Sequence, residues 1–398
     1  MIVLFIQIFF ECFLSPSYSN LEIAFEISKT LIEKNHRFLL TMGCNHSTAK
    51  VVGDSPKKPK DEDNDSDMFL PFDDNSNYSE ESHYMNETNR DEQFCILSFS
   101  DYVQLIGHPI ILEYQFLESI GRGSHGEVYL CRNIETDDFY AAKVYSKLVT
   151  PNVGMAGKTS FYDRIITEIN ILCQIKDKHC IQLIDVLDDD STQSIIIIMT
   201  LAKDGSLLPE DALTTPFAEK QAQNYFVQIA LGIQHLHSLN VVHRDIKPHN
   251  ILKRNENDVV ISDYSASAIL QTEETLFTDT EGTPMFYSPE ECSGEPYLPK
   301  PADIWALGVS LYIMIYGRPP FFEEDDAGIF LSHFYRISKL IQENEVVFDE
   351  SIPASESLID LLKHLLDKDP TTRYTINDTL NHPWVKEGIE NLHEEVPS

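Results

Sequence analysis

Positive charge is what this chain lacks most. Its 398 residues carry 30 Lys and Arg against 64 Asp and Glu, a formal net charge of −34. Nucleic-acid phosphates demand a basic surface, so no nucleic-acid partner is expected, and basic or neutral proteins are easier to attract. Cysteine is also sparse. The seven residues are Cys12, Cys44, Cys95, Cys131, Cys173, Cys180 and Cys292, an odd number with no C-x-x-C pair. That pattern indicates neither a disulfide framework nor a zinc site and suits reduced thiols in a cytosolic protein. The apolar opening, Met1 to Leu14, is too short to span a bilayer. It also lacks the basic start of a secretory signal and contains Glu11. No internal repeat is visible.

What is present divides the chain into four parts. Residues 1–41 combine the apolar opening with a weakly amphipathic stretch from Asn20 to Leu40. Residues 42–112 form the second part. They open on Met42-Gly43-Cys44-Asn45-His46-Ser47, an M-G-x-x-x-[ST] pattern with a thiol beside the glycine. If translation starts at Met42, Gly43 becomes a myristoylation site and Cys44 a palmitoylation site, and two acyl chains anchor a protein stably to a membrane. Residues 1–41 would then be an upstream extension; otherwise the pattern is a chance match inside a true N-terminal region. The expected location is cytoplasmic, with membrane association if Gly43 and Cys44 are acylated. Asp61 to Glu92 holds 12 acidic residues against one arginine. It cannot bury enough apolar surface to offset chain entropy, so the whole of 42–112 is expected to be a disordered acidic linker.

The third part, residues 113–386, has a different texture. Strand-like runs with short turns continue to about Thr200 and helical periodicity dominates afterwards. Ala222, Tyr225, Phe226, Ile229, Ile233 and Leu236 recur at spacings of three and four, the mark of an amphipathic helix over Ala218 to Leu239. Ala302 to Tyr316 is apolar almost all round and reads as a buried helix. An α+β fold in two lobes is therefore expected, with lobes 113–202 and 203–386 and a cleft where the texture switches. A short acidic tail, 387–398, is the fourth part.

Four motifs carry chemistry. Gly121-Arg122-Gly123-Ser124-His125-Gly126-Glu127-Val128 joins two strand-like runs, where glycines let backbone N–H groups approach phosphate oxygens. Lys143 lies in the apolar strand pattern Ala141-Ala142-Lys143-Val144 and needs an anion if buried. Candidates are a ligand phosphate and Glu168, which lies in a helical pattern. The most specific element is His243-Arg244-Asp245-Ile246-Lys247-Pro248-His249-Asn250. There Asp245 suits the proton of an attacking hydroxyl, Lys247 can neutralise a transferring phosphoryl group, and Asn250 can ligate a metal. Asp263 ends an apolar strand 13 residues after Asn250 and is placed to hold Mg²⁺ against phosphate oxygens.

Together with Asp263-Tyr264-Ser265, Gly282-Thr283-Pro284, Ser288-Pro289-Glu290 and Arg373, these residues resemble the eukaryotic protein kinase family from about Tyr114 to Val385. The resemblance implies a bilobal fold, a small antiparallel sheet with one main helix above a larger helical lobe, and the use of ATP and Mg²⁺. It implies that Gly121, Gly123, Ser124 and Gly126 cover the phosphates. Ile120, Val128, Ala141, Met199, Leu201 and Leu252 would surround the nucleotide base, with Met199 as gatekeeper. Lys143 would pair with Glu168, Asp245 would be the catalytic aspartate, and Asn250 and Asp263 the metal ligands. Glu290 and Arg373 would form a structural ion pair. Lys247 and Thr283 match the serine/threonine form.

The detailed likeness is greatest to the calcium/calmodulin-dependent protein kinase kinase-like group of AMP-activated-kinase activators. It is carried by Ile181 to Asp189, Gly232 to His237 and Leu365 to Arg373. A protein substrate, another kinase, is implied. No basic amphipathic helix follows Val385, so calmodulin is not an expected partner. In such kinases the arginine before the catalytic aspartate binds an activation-loop phosphate. Here that loop contains Thr278, Asp279, Thr280 and Thr283, and Asp279 with Glu281 is expected to replace part of that charge. Asp263-Tyr264-Ser265 departs from the usual Asp-Phe-Gly. A buried Tyr264 hydroxyl would need a partner, and Ser265 should favour the active arrangement. The rival readings are a pseudokinase scaffold and a small-molecule kinase.

Overall fold

The strands follow from period-two patterning. In the run Glu127–Asn133, Tyr129, Cys131 and Asn133 are buried while the intervening residues are only half-covered. The computed structural model describes residues 99–122, 126–147, 161–208, 215–321 and 330–394. Everything before Phe99, including Gly43, Cys44 and the acidic run, lies outside the described residues.

A six-stranded sheet runs in the order β1-β2-β3-β4-β6-β5 with every neighbouring pair antiparallel. The strands are β1 (Ile110–Ile111), β2 (Tyr114–Arg122), β3 (Glu127–Asn133), β4 (Phe139–Ser146), β5 (Leu183–Asp189) and β6 (Ser194–Thr200). The isoleucine run of β6 is buried on both faces because a separate apolar cluster covers each side of the sheet there. Ile196 and Ile198 join Phe116, Tyr129 and Val144 on one face. Ile195, Ile197 and Met199 join the other face, which holds Ile165, Ile171 and Leu172 of helix α2 (Phe161–Gln174). Alternation thus sends each residue of β6 to a definite layer.

Two expected boundaries are corrected. Residues 99–112 belong to the fold and not to a disordered linker, since helix α1 (Phe99–Ile106) and β1 precede β2. The cause is Phe99, whose ring meets Phe116 and Tyr129 edge-on at 5.1 and 5.3 Å and covers the outer face of the sheet. The acidic tract before it has little such apolar surface. At the other end, helix α9 (Pro383–Glu394) runs through what reads as a tail. Ile389 and Leu392 pack on the main core, and Glu387 and Glu390 are exposed on the other side of an amphipathic helix.

The second lobe is built on two helices. Helix α3 (Glu219–Ser238) buries all six residues of its predicted stripe. Helix α5 (Pro299–Tyr316) is buried almost throughout, as its composition predicts. A Cβ at Gly308 would lie 2.8 Å from the Leu365 Cβ, so glycine lets α7 (Glu356–Leu365) pack against α5. Helices α4 (Pro289–Ser293), α6 (Phe330–Glu343) and α8 (Ile376–Asn381) complete the lobe. Arg373, with a fully buried side chain, grips Glu290 through two N–H···O bonds of 2.6 and 2.9 Å and stacks over Trp305. Paired strands β7 (Val241–Val242) with β10 (Ala268–Ile269), and β8 (Ile251–Asn255) with β9 (Asp258–Ile261), frame the loop that carries Asp245.

Helix α4 contains a titrating group. Burial pushes the Glu291 carboxyl up from 4.5 to about 7, although the backbone N–H and hydroxyl of Ser288 donate to it and pull it down. Between those values the folded chain holds a proton that the unfolded chain has released, so stability falls as pH rises and levels off above about 7. Glu291→Gln should flatten this window and recover about 3 kcal/mol near neutrality. Urea unfolding of both proteins between pH 5 and about 8 reads the slope; parallel curves would refute the assignment.

Candidate active site

Lys143 and Tyr145 lie two residues apart on β4 and so project from one face of the sheet. That face is apolar, and Lys143 is only 7% exposed. Its ammonium is satisfied by two carboxylates, Glu168 of α2 and Asp263 just beyond β9, each at 2.8 Å. Burial works against a charged lysine here, but Glu168 and Asp263 outweigh it and hold Lys143 well above its ordinary range. Burial equally opposes an ionised Asp263, and Lys143 outweighs it, holding that carboxyl well below the usual range. Lys143 and Asp263 are therefore both charged at neutral pH.

The second cluster surrounds Asp245. Its Oδ1 accepts from the Thr283 hydroxyl at 2.9 Å, and its Oδ2 accepts from Asn250 Nδ2 at 2.8 Å and faces Lys247 Nζ at 3.0 Å. Lys247 also donates to Thr283 Oγ1 at 2.7 Å, closing a triangle. Asp303 of α5 supports this loop from below. It accepts from the backbone N–H groups of His243 and Arg244 at 2.9 and 2.8 Å and lies 2.9 Å from His237 Nε2. Arg244 has φ 66, a left-handed conformation unfavourable to a side chain, and the Asp303 bonds hold the chain through it. Gly282, at φ 96, lies so close that a Cβ would run into the Arg244 carbonyl. Glycine there brings Thr283 to Asp245.

The donor set fits Mg²⁺ as a resident metal. Asn250 Nδ2 faces the Asp245 carboxylate and carbonyl, which leaves the amide oxygen for a cation. Asp263 supplies a carboxylate. Among the described residues no group of three or more His, Cys, Asp or Glu could hold a metal. A cation held here would therefore have few protein donors and complete its shell with phosphate and water, as magnesium prefers.

Tyr264, expected to need a partner, is 1% exposed and donates to the Ile261 carbonyl at 3.1 Å. Its ring stands edge-on to His243 at 5.5 Å. Ser265 takes an ordinary negative φ and its N–H points to Asp263 Oδ1 at 3.4 Å, with Asp263 turned toward Lys143. Strand register places Val128 opposite Lys143 and Ala141 opposite Met199, with Leu252 packed on the cluster that contains Met199. Gly121 pairs with Val128 across β2 and β3, and Ile120 beside it is 47% exposed. Leu201 follows β6, where the chain leaves the sheet. Gly126 admits no side chain, because a Cβ would lie 2.6 Å from the Val144 carbonyl oxygen. Gly123 and Ser124 lie outside the described residues.

Residues 114–385 match the family model described as the protein kinase domain. The chain belongs to the protein kinase family. It is 32% identical over 281 residues to a Dictyostelium discoideum protein named a probable serine/threonine-protein kinase. That alignment covers 70% of this chain and 39% of the relative. It is also 32% identical over 297 residues to the serine/threonine-protein kinase ssp1 of Schizosaccharomyces pombe, covering 72% of this chain and 44% of that protein. It is 31% identical over 281 residues to the Arabidopsis thaliana serine/threonine-protein kinase GRIK2, covering 70% of this chain and 67% of that protein. The chain thus spans less than half the length of the first two of these relatives. The kinase domain has the curled antiparallel sheet and helical second lobe expected from the sequence.

Several residues around the site escape motif reading. Arg164, one turn before Glu168 on α2, pairs with Glu281 at 2.6 Å. Tyr145 was likewise not expected to act here, and Asp303, which opens the family-like run Asp303-Ile304-Trp305-Ala306-Leu307-Gly308, had been given no role of its own. The i, i+4 spacing of Arg164 and Glu168 and the i, i+2 spacing of Lys143 and Tyr145 are visible signals that these pairs share a face. Nothing in the sequence near Asp303 says that it reaches His243.

Proposed function

We propose that this chain transfers the γ-phosphoryl group of ATP to serine or threonine in a protein substrate. The convergence of Lys143, Asp263, Asn250 and Asp245, drawn from both lobes, carries the reading. When bound, Mg·ATP would supply the phosphoryl group and a neutralising metal charge, with the Asn250 amide oxygen and Asp263 as metal donors. Lys143 would orient the phosphates, fixed by Glu168. Asp245, positioned by Thr283 and Asn250, would hold the proton of the substrate hydroxyl. Lys247, within reach of both Asp245 and Thr283, would offset negative charge on the transferring group. Asp245→Asn keeps the shape and removes the carboxylate. It should lower protein phosphorylation at least about 100-fold, the usual scale of a positioned general base. Phosphoproteomic comparison of lysate treated with each protein tests this, and equal labelling by both would favour a scaffold without turnover.

The finer reading is a kinase of the calcium/calmodulin-dependent protein kinase kinase-like group whose substrate is the activation loop of another kinase. It rests on the three matching stretches of sequence and on family analogy. Membrane association through Gly43 and Cys44 rests on the acylation motif alone. Intact-mass analysis of the native chain should show myristate on a glycine N-terminus; an unacylated chain beginning at Met1 would sink the idea.

The activation loop supports basal activity without phosphate. Arg244 donates to the Asp279 carbonyl and to its carboxylate, both at 3.0 Å, and its guanidinium lies over Phe277. Glu281 answers Arg164 on α2. Thr278 and Thr280 are exposed. A carboxylate carries less charge than a phosphate, and Asp279 is 63% exposed, so its replacement of phosphate is partial. Asp279→Ala and Glu281→Gln should each lower kcat/KM of unphosphorylated enzyme roughly 3- to 5-fold, the scale of a pair contributing up to about 1 kcal/mol. Full activity of Asp279→Ala beside an inactive Thr278→Ala or Thr280→Ala would mean that phosphorylation governs the loop.

A further inference from the structure

Tyr145 has no place in the motif set, yet it touches three elements of the first lobe. Its hydroxyl donates to Glu168 Oε2, while Oε1 of the same carboxylate takes the Lys143 ammonium at 2.8 Å. Both side chains are sealed from solvent, Tyr145 at 1% and Glu168 at 2% exposure. The ring is held edge-on by Phe161 at the first turn of α2, with centroids 5.9 Å apart. Lys143 Nζ lies 5.3 Å from the ring centroid, and a Cβ on Gly126 would fall 3.4 Å from the ring. The tyrosine thus fills the space between β4, α2 and the last glycine of the loop.

Lys143 alone holds only half of the Glu168 carboxylate, and it divides its ammonium between Glu168 and Asp263. The second oxygen is buried, charged and supplied by Tyr145. Without that hydroxyl, Oε2 would lose its donor in a site that excludes water, and an outward displacement of α2 would relieve the cost. We infer that Tyr145 is a positioning residue for phosphoryl transfer: its hydroxyl clamps the free oxygen of Glu168 and keeps α2 inward before nucleotide arrives. Lys143 is then aligned in the empty enzyme as in the loaded one. This rests on the kinase reading of the same cleft. Its consequence is selective. Losing the clamp depopulates the inward state, which lowers apparent nucleotide affinity by the competent fraction, while saturating nucleotide restores that state.

The test compares Mg·ATP binding to the full chain by isothermal titration calorimetry, alongside steady-state kinetics. Tyr145→Phe, which keeps the ring, should raise Kd and KM for ATP about 3- to 10-fold and leave kcat within about twofold. Tyr145→Leu should weaken binding at least as much. In a Glu168→Gln background, where no charged oxygen remains to be clamped, Tyr145→Phe should change Kd by less than about twofold. An unchanged Kd in Tyr145→Phe overturns the proposal. So does equal weakening in both backgrounds, which would mark the tyrosine as packing only. If the wild-type protein binds Mg·ATP but phosphorylates nothing, the kinase reading fails, and the Kd comparison still judges the clamp.

Discussion

A single buried ammonium organises the first lobe. Lys143 sits on an apolar face where an unpaired charge would be prohibitive, so its position dictates where carboxylates must be. One comes from α2 and the other from the segment after β9, elements 25 and 120 residues away along the chain. Helix, sheet and second lobe are thereby brought to one point by electrostatics as much as by apolar packing. Such an arrangement contributes little net stability, because desolvation offsets most of the attraction. What it supplies is definition: few placements of α2 satisfy both the lysine and the tyrosine beside it.

The second lobe solves a different problem, the holding of a strained loop. Arg244 and Asp263 both adopt positive φ without being glycine. For Arg244 the strain is offset by the two backbone bonds to Asp303, which burial would otherwise tend to protonate and which His237 keeps ionised. Gly282 then lets the following threonine approach Asp245 from the other side. The aspartate is thus fixed from beneath by a helix and from the side by a loop.

Much of this was legible in the residues. The stripe on α3 and the uniform apolarity of α5 gave both helices to within a few residues, because burial on one side or on all sides leaves distinct periods. Lys143 meets Glu168, as a buried charge in search of a partner suggests, and Arg373 meets Glu290, as the family resemblance implies. Boundaries were less legible. Phe99, with Val103 and Ile111 beside it, packs onto the sheet a segment that adjoins the acidic tract, and α9 hides its apolar side among glutamates. The Tyr145 clamp and the Asp303 brace depend on which side chains meet across elements, and single-sequence patterns carry spacing along an element but not distance between elements.

Helix α2 is therefore tied at two depths by residues one turn apart. Glu168 is held in the interior by Lys143 and Tyr145, where water and ions do not reach, so salt should barely touch that attachment. Arg164, by contrast, meets Glu281 at the surface, with side-chain exposures of 35% and 25%, and added ions would screen that contact. The inner tie sets where the helix rests, and the outer tie reports the state of the activation loop. A phosphate on that loop, or the carboxylates now standing in its place, can bias the helix through the weaker tie. The inner contacts involve no residue of the stretch from Thr278 to Thr283, so the loop tunes an arrangement that the buried carboxylate already favours.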